Sequence, residues 1–183
     1  TGTFTVTGGG TDIWGAADQF HFVHRRVQGD VDITARVAAI EPVAAWTKVG
    51  VMLRETLTAN AAHGAIFVTP GKGNAFQRRP TTGGLSVHTA GAMVTAPYWV
   101  RLQRRGQLVT ASQSTDGVTW AVVGTMTLPA PAIYAGLAVS SHSSTRAATA
   151  GSWPARRLRC SRSRSGSRSA SRRRWSPRAR RSA

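Results

Sequence analysis

The sequence predicts an all-β, antiparallel sandwich or barrel, and three observations carry that prediction. Apolar and polar residues alternate with period two through most of residues 1–150, as where Val31, Ile33, Ala35 and Val37 interleave with Asp32, Thr34 and Arg36. That alternation marks strands with one buried and one wet face. The runs recur at roughly 8–12-residue spacing with turn signals between them, and no stretch carries a sustained helical stripe.

Taken in order, strands are predicted over residues 20–24, 31–37, 48–55, 65–69, 75–79, 99–105, 108–114, 120–127 and 133–140. They are separated by Gly8-Gly9-Gly10, Gln28-Gly29-Asp30, Pro70-Gly71-Lys72-Gly73-Asn74, Thr82-Gly83-Gly84, Arg105-Gly106-Gln107, Asp116-Gly117 and Pro129-Ala130-Pro131. These residue types tolerate positive φ or fix the backbone in turns. Residues 55–62 read as one helical turn or a loop. The clearest hairpin is Ser114–Trp120, where Asp-Gly sits between two alternating runs and Trp120 is placed to close over the turn. Such a turn either stabilises the fold or contacts glycan or calcium. The first role is the commoner one.

The net charge of +17 divides unevenly along the chain. Residues 1–150 hold ten arginines and two lysines against seven carboxylates, whereas residues 151–183 hold twelve arginines and no acid. The body is therefore only mildly basic, and nonspecific nucleic-acid affinity is expected from the tail alone. About 150 residues suffice for one domain with a single core. The only cysteine, Cys160, lies in the tail, so no disulfide framework is expected. No apolar stretch approaches the ~18 residues of a membrane span. The chain opens on Thr1 and reads as a module cut from a longer protein.

At Gly10-Thr11-Asp12-Ile13-Trp14-Gly15-Ala16-Ala17-Asp18-Gln19-Phe20 the chain resembles bacterial concanavalin A-like modules related to the C-terminal domain of β-xylosidases, sometimes labelled enolase-regulator-like. The likeness continues through Gly29-Asp30, residues 45–55, Phe76-Gln77-Arg78-Arg79, Pro97-Tyr98-Trp99-Val100-Arg101-Leu102, Ser114–Trp120 and Gly136-Leu137-Ala138-Val139-Ser140-Ser141-His142. The resemblance implies an antiparallel jelly-roll β-sandwich over residues 1–150. It also implies an accessory module of a secreted or cell-surface protein, beside neighbouring domains that are often glycan-active. The chain departs from that pattern after Ala147-Ala148-Thr149-Ala150, where the Phe and polar residues of a closing strand give way to Gly151-Ser152-Trp153-Pro154-Ala155-Arg156-Arg157. Loss of that strand would leave a sheet edge open. Residues 151–183 read as a basic Ser-Arg segment able to neutralise phosphate, as a disordered cationic linker, or as the product of a shifted frame in GC-rich DNA; the segment is expected to be disordered or out of frame.

Catalysis is not expected. Glycoside hydrolysis needs two carboxylates roughly 5–10 Å apart across the scissile bond, and most of Asp12, Asp18, Asp30, Asp32, Glu41, Glu55 and Asp116 fall in turns. Asp12 and Asp18 bracket a tight loop at Trp14, where they can accept backbone N–H bonds. No metal is expected either: His21 and His24 point to opposite faces of a strand, and His63, His88 and His142 stand singly. Calcium at aspartate-bearing loops stays open.

Binding is the better-supported class. Along residues 48–55, Val49, Val51 and Leu53 share one face and Lys48, Gly50, Met52 and Arg54 the other; along 99–105, Trp99, Arg101 and Gln103 oppose Val100 and Leu102. If the second faces belong to one concave sheet, Lys48, Arg54, Arg78 and Arg101 line a groove with Trp46 or Trp99 near it and His142 among the candidate ligand contacts. Guanidinium groups and aromatic rings suit a polysaccharide or oligosaccharide, acidic ones especially. The competing role is a structural or protein-interaction module with no ligand of its own.

Overall fold

The computed structural model describes residues 4–151, 156–161 and 178–181, the last two segments and Gly151 in backbone only. Every regular element among the described residues is a strand. In chain order they are β1 (Val6–Gly10), β2 (Asp12–Trp14), β3 (Ala17–Gln19), β4 (His21–Gln28), β5 (Asp30–Val37), β6 (Ala39–Ile40), β7 (Lys48–Arg54), β8 (His63–Val68), β9 (Asn74–Arg79), β10 (Val87–Ala90), β11 (Tyr98–Arg105), β12 (Leu108–Ser114), β13 (Ala121–Thr127), β14 (Ala132–Ser140), β15 (Ser143–Gly151), β16 (Arg156–Ser161) and β17 (Arg178–Arg181). Residues 55–62 form a loop, the second of the two readings the sequence allowed.

Two sheets make the sandwich. One has seven strands in the order β10-β9-β8-β7-β14-β4-β17, the other five in the order β13-β12-β11-β5-β16. All their pairings are antiparallel, so the fold is an all-β, antiparallel β-sandwich, the first of the two architectures the periodicity allows and the one the resemblance implies. Between them lies the main core: Val49, Val51 and Leu53 of β7, Ile33 and Ala35 of β5, Val100 and Leu102 of β11, Ile133 and Leu137 of β14. Those of β5, β7 and β11 are the residues the alternation assigned to inner faces. Side chains of this size gain about 1.5–3 kcal/mol each on burial, which makes the interior the principal source of cohesion.

The outer face of the seven-stranded sheet departs from expectation. Lys48, Gly50, Met52 and Arg54 were read as a wet face, yet every residue of β7 is buried. The cause is a lid: β2 pairs with β3 as a short hairpin, and Ile13 from it joins Phe20, Phe22, Met52, Ala65, Phe67 and Ala138 in a second apolar cluster. A strand buried on both sides reads as apolar throughout except where charges are paired. Lys48 and Arg54 are such charges.

Most of residues 151–183 lie outside the described residues. Of the parts described, β16 pairs with β5 at Arg156↔Thr34 and β17 with β4 at Arg178↔His24. The register matters for the edge expected to stand open. Strand β15 ends on β6 with Ala150↔Ile40 and Gly151↔Ala39, and Arg156↔Thr34 continues that same stagger along β5. Edge pairing uses backbone N–H and C=O groups and is nearly indifferent to side chains, so a Ser/Arg vocabulary can still occupy the edge.

Candidate ligand-binding face

Two ionic constellations lie under the β2–β3 hairpin, and they differ in depth. In the deeper one, Asp18, whose side chain is wholly buried, is gripped by Arg79 through Nη2–Oδ1 at 2.6 Å and Nη1–Oδ2 at 2.9 Å. Arg54 Nη1 and His63 Nδ1 each approach Asp18 Oδ2 to 3.5 Å. Two arginines against one carboxylate leave an excess positive charge in the interior. Backbone carbonyls offset it: Arg79 donates to the carbonyls of Trp14, Gly15, Ala59 and Ala61, and Arg54 to those of Thr56 and Thr58. Arg79 thereby ties the hairpin turn to the sheet. Burial draws Arg54 down to about 10, with Asp18 opposing the shift and Arg79 adding to it. Burial also lowers His63 to about 4, and the two arginines reinforce that against the pull of Asp18. His63 is a neutral ring at ordinary pH.

The shallower constellation surrounds Lys48. Its ammonium pairs with Asp12 Oδ1 and donates to the Ile13 carbonyl at 3.0 Å. Two indole rings flank that one ammonium, Trp46 with its centroid 5.5 Å away and Trp14 at 5.8 Å. Trp14 is 41% exposed and Trp46 half-buried, so this assembly reaches solvent. On one side exposed His88 meets Trp46 edge to face at 5.8 Å. On the other, His142 Nδ1 stands 3.5 Å from Asp12 Oδ2. His142 has φ 57, the only positive φ on a non-glycine residue among the described residues. Such backbone strain gathers where the surrounding structure fixes a side chain for a purpose. Burial pushes the Lys48 ammonium below its ordinary value, Asp12 opposing. His88 is also lowered, by burial, Lys48 and Arg78 in that order.

The seven residues proposed from sequence thus part company. Trp46, Lys48 and His142 come together around Asp12. Arg54 shares their face of the sheet but is 2% exposed and committed to Asp18. Arg78 projects to the opposite face of β9, where its guanidinium lies 5.0 Å from the Phe76 ring and donates to Thr89 Oγ1 at 2.8 Å. Trp99 and Arg101 belong to the other sheet: Arg101 stacks on Trp120 at 4.2 Å, and Trp99 covers Gly117, whose φ is 73. Trp99 therefore closes the Asp-Gly turn in the place expected of Trp120. The four cations do not line one groove. Period two separates adjacent positions to opposite faces, so of Arg78 and Arg79 only one could join Lys48, and it is Arg79.

The remaining carboxylates are engaged in the fold. Asp116 Oδ1 accepts from the backbone N–H groups of Val118 and Thr119 at 2.7 and 2.8 Å and from Ser114 Oγ at 2.8 Å, bonds that hold its carboxyl down to about 2. Asp30 accepts from Gly106 N–H, Asp32 from Gln103, Glu41 from Thr149 N–H and Glu55 from Thr82. Among the described residues no three His, Cys, Asp or Glu side chains converge, and no helix is long and apolar enough to cross a membrane. Sequence reasoning missed Asp12, Trp14, His88 and Arg79. For the first two a signal existed: Asp12 and Asp18 bracket Trp14, and Asp12 does accept the Ile13 N–H at 2.7 Å.

No family model matches the chain, and no curated protein matches it. Solved structures do. A functionally unknown protein from Saccharomyces cerevisiae is 16% identical with a TM-score of 0.63, over 85% of this chain and 91% of that one. A mutant of the GH43 protein BlXynB from Bacillus licheniformis is 12% identical with a TM-score of 0.56, over 84% of this chain and 32% of that one. A xylan beta-1,4-xylosidase from Bacillus halodurans is 11% identical with a TM-score of 0.51, again over 84% and 32%. The chain spans about a third of the length of the two Bacillus chains. At these identities the relation is one of fold, a shared β-sandwich.

Proposed function

We propose that this chain is a noncatalytic, carbohydrate-binding accessory module of the concanavalin A-like jelly-roll kind, working within a longer secreted or cell-surface protein. The observation that carries the reading is the platform itself: Trp14 and Trp46 flanking Lys48 and Asp12, with His88 and His142 at the rim. Sugar rings present apolar CH faces and polar edges. Indole rings pack against the former, while the part-exposed Asp12 carboxylate and the His88 and His142 imidazoles hydrogen-bond the hydroxyls of the latter, and buried Lys48 holds Asp12 in place. The noncatalytic part is supported by the two carboxylates under the hairpin, of which Asp12 alone reaches solvent and Asp18 is wholly buried, whereas glycoside hydrolysis uses a pair that both reach the substrate. The match to about a third of two longer Bacillus chains supports the accessory-module part.

A glycan array followed by calorimetry on the best ligand tests the proposal. Trp46→Ala should weaken binding at least tenfold, since a well-packed aromatic anchor is worth a few kcal/mol. If no glycan binds, or Trp46→Ala leaves affinity unchanged, the module serves structure or protein interaction instead. The exposed apolar side chains Leu85, Val87 and Met93 around β10 favour that second role.

A further inference from the structure

A cleft of about 420 Å³ opens between β1, the start of β4 and β15, lined by Thr7–Gly10, Gln19–His21 and residues 143–147. Its origin is a break in register. Between Gly8↔Ala148 and Gly10↔Ser143, β1 advances two residues while β15 advances five, so residues 144–147 bulge out of the ladder beside Gly9. Bulges of this kind re-aim side chains beside functional sites. The three glycines facing them are not equivalent. A Cβ on Gly8 would stand 2.4 Å from His21 Cβ, and one on Gly10, at φ 130, 2.1 Å from the Gln19 carbonyl oxygen. A Cβ on Gly9 would meet nothing nearer than 3.7 Å. Packing demands the first and third glycine; the second has room for a side chain beside Arg146 and Ala147.

The lining chemistry is one-sided. Arg146 is exposed, Ser144 and Thr145 carry hydroxyls, His21 stands at the base, and no carboxylate lines the space. The cleft also adjoins the tryptophan platform. Ser140 and Ser141 hydroxyls hold the Gly10 carbonyl, and His142, between Ser141 and the cleft residue Ser143, reaches Asp12. From these observations we propose that the cleft is a second subsite that takes the carboxylate of an acidic sugar, a uronate borne by the glycan lying on the platform, with Arg146 as the charge partner. The proposal rests on the carbohydrate-binding reading and names the class of glycan. Arg146 recognises the carboxylate through paired N–H donors, and hydroxyls of Ser144 and Thr145 complete its solvation.

The test compares a xylotetraose with the same oligosaccharide carrying one glucuronate, by calorimetry at low ionic strength, on the wild-type chain and on Arg146→Gln, Gly9→Val and Trp46→Ala. Gly9→Val fills the cleft without touching the platform. The acidic ligand should bind about fivefold more tightly than the neutral one to the wild type. Arg146→Gln and Gly9→Val should each erase that difference and leave neutral affinity unchanged, whereas Trp46→Ala should lower both affinities. Equal affinity for the two ligands in the wild type overturns the subsite, as does a preference that survives both cleft variants. If Trp46→Ala changes nothing while Arg146→Gln abolishes acidic binding, the cleft stands and the platform falls. Failure of both ligands overturns both.

Discussion

Asp12 and Asp18 sit six positions apart on either side of Trp14, and each meets a cation from the seven-stranded sheet, yet the two pairs do opposite kinds of work. Asp18 has no exposed side-chain surface and shares its two oxygens among Arg79, Arg54 and His63. Asp12 keeps 28% of its side chain in solvent and meets a single lysine beneath two tryptophans. The difference lies in what surrounds them. A buried ion pair adds little net stability over apolar residues of the same shape, but removing one partner strands the other charge at several kcal/mol. The Asp18 network is therefore a lock on the lid. Asp12, with part of its carboxylate in water above the buried Lys48, stays available to accept hydrogen bonds from a ligand.

The sharpest way to break this comparison is to remove the lock. Arg79→Ala leaves Asp18 only the longer 3.5 Å approaches of Arg54 and His63 and frees the carbonyls of Trp14, Gly15, Ala59 and Ala61, so it should cost about 3–5 kcal/mol in urea unfolding. Asp12→Asn leaves Lys48 with the Ile13 carbonyl and should cost about 1–2 kcal/mol. Equal losses would show that depth does not separate the two pairs.

Acid should act on the same contrast. His63 is held near 4 in the folded chain against 6.5 when unfolded. Between those values the unfolded chain binds the extra proton, so stability is full above about pH 6.5 and falls as pH drops toward 4. The loss approaches about 3 kcal/mol by the lower limit. Urea midpoints at pH 7, 5.5 and 4.5 should show the slope in the wild type, and His63→Leu should flatten it. A slope unaltered by that substitution would place the acid sensitivity elsewhere.

How far the sequence led follows from the same physics. Alternation found the inner faces of β5, β7 and β11 because one layer of apolar residues faces another there, and a period of two has one solution. It could not phase one strand against another. Arg78 and Arg101 looked like partners of Lys48, but whether residues of different strands share a face, or even a sheet, is decided by pairing across long separations. The wet face assigned to Lys48 and Arg54 failed for a related reason. A three-residue strand and its turn, Asp12–Trp14 and onward, form too short a pattern to announce that they will fold over the sheet. The Asp-Gly hairpin was legible because its chemistry is local.

The smallest effect is expected on the sheet that lacks the platform. Arg101 lies on β11 with its guanidinium over Trp120, half-buried, and burial lowers it from its ordinary value while Asp32 opposes. A cation–π contact at a site this open contributes about 0.5–1 kcal/mol. Arg101→Ala should therefore shift the urea midpoint slightly and leave glycan affinity within twofold of wild type, because the platform and the cleft are built from β1, β2, β3, β4, β7, β10, β14 and β15 and their loops. If Arg101→Ala instead lowers affinity as much as Trp46→Ala, the ligand reaches the five-stranded sheet, and the face that binds is not the one beneath Trp14.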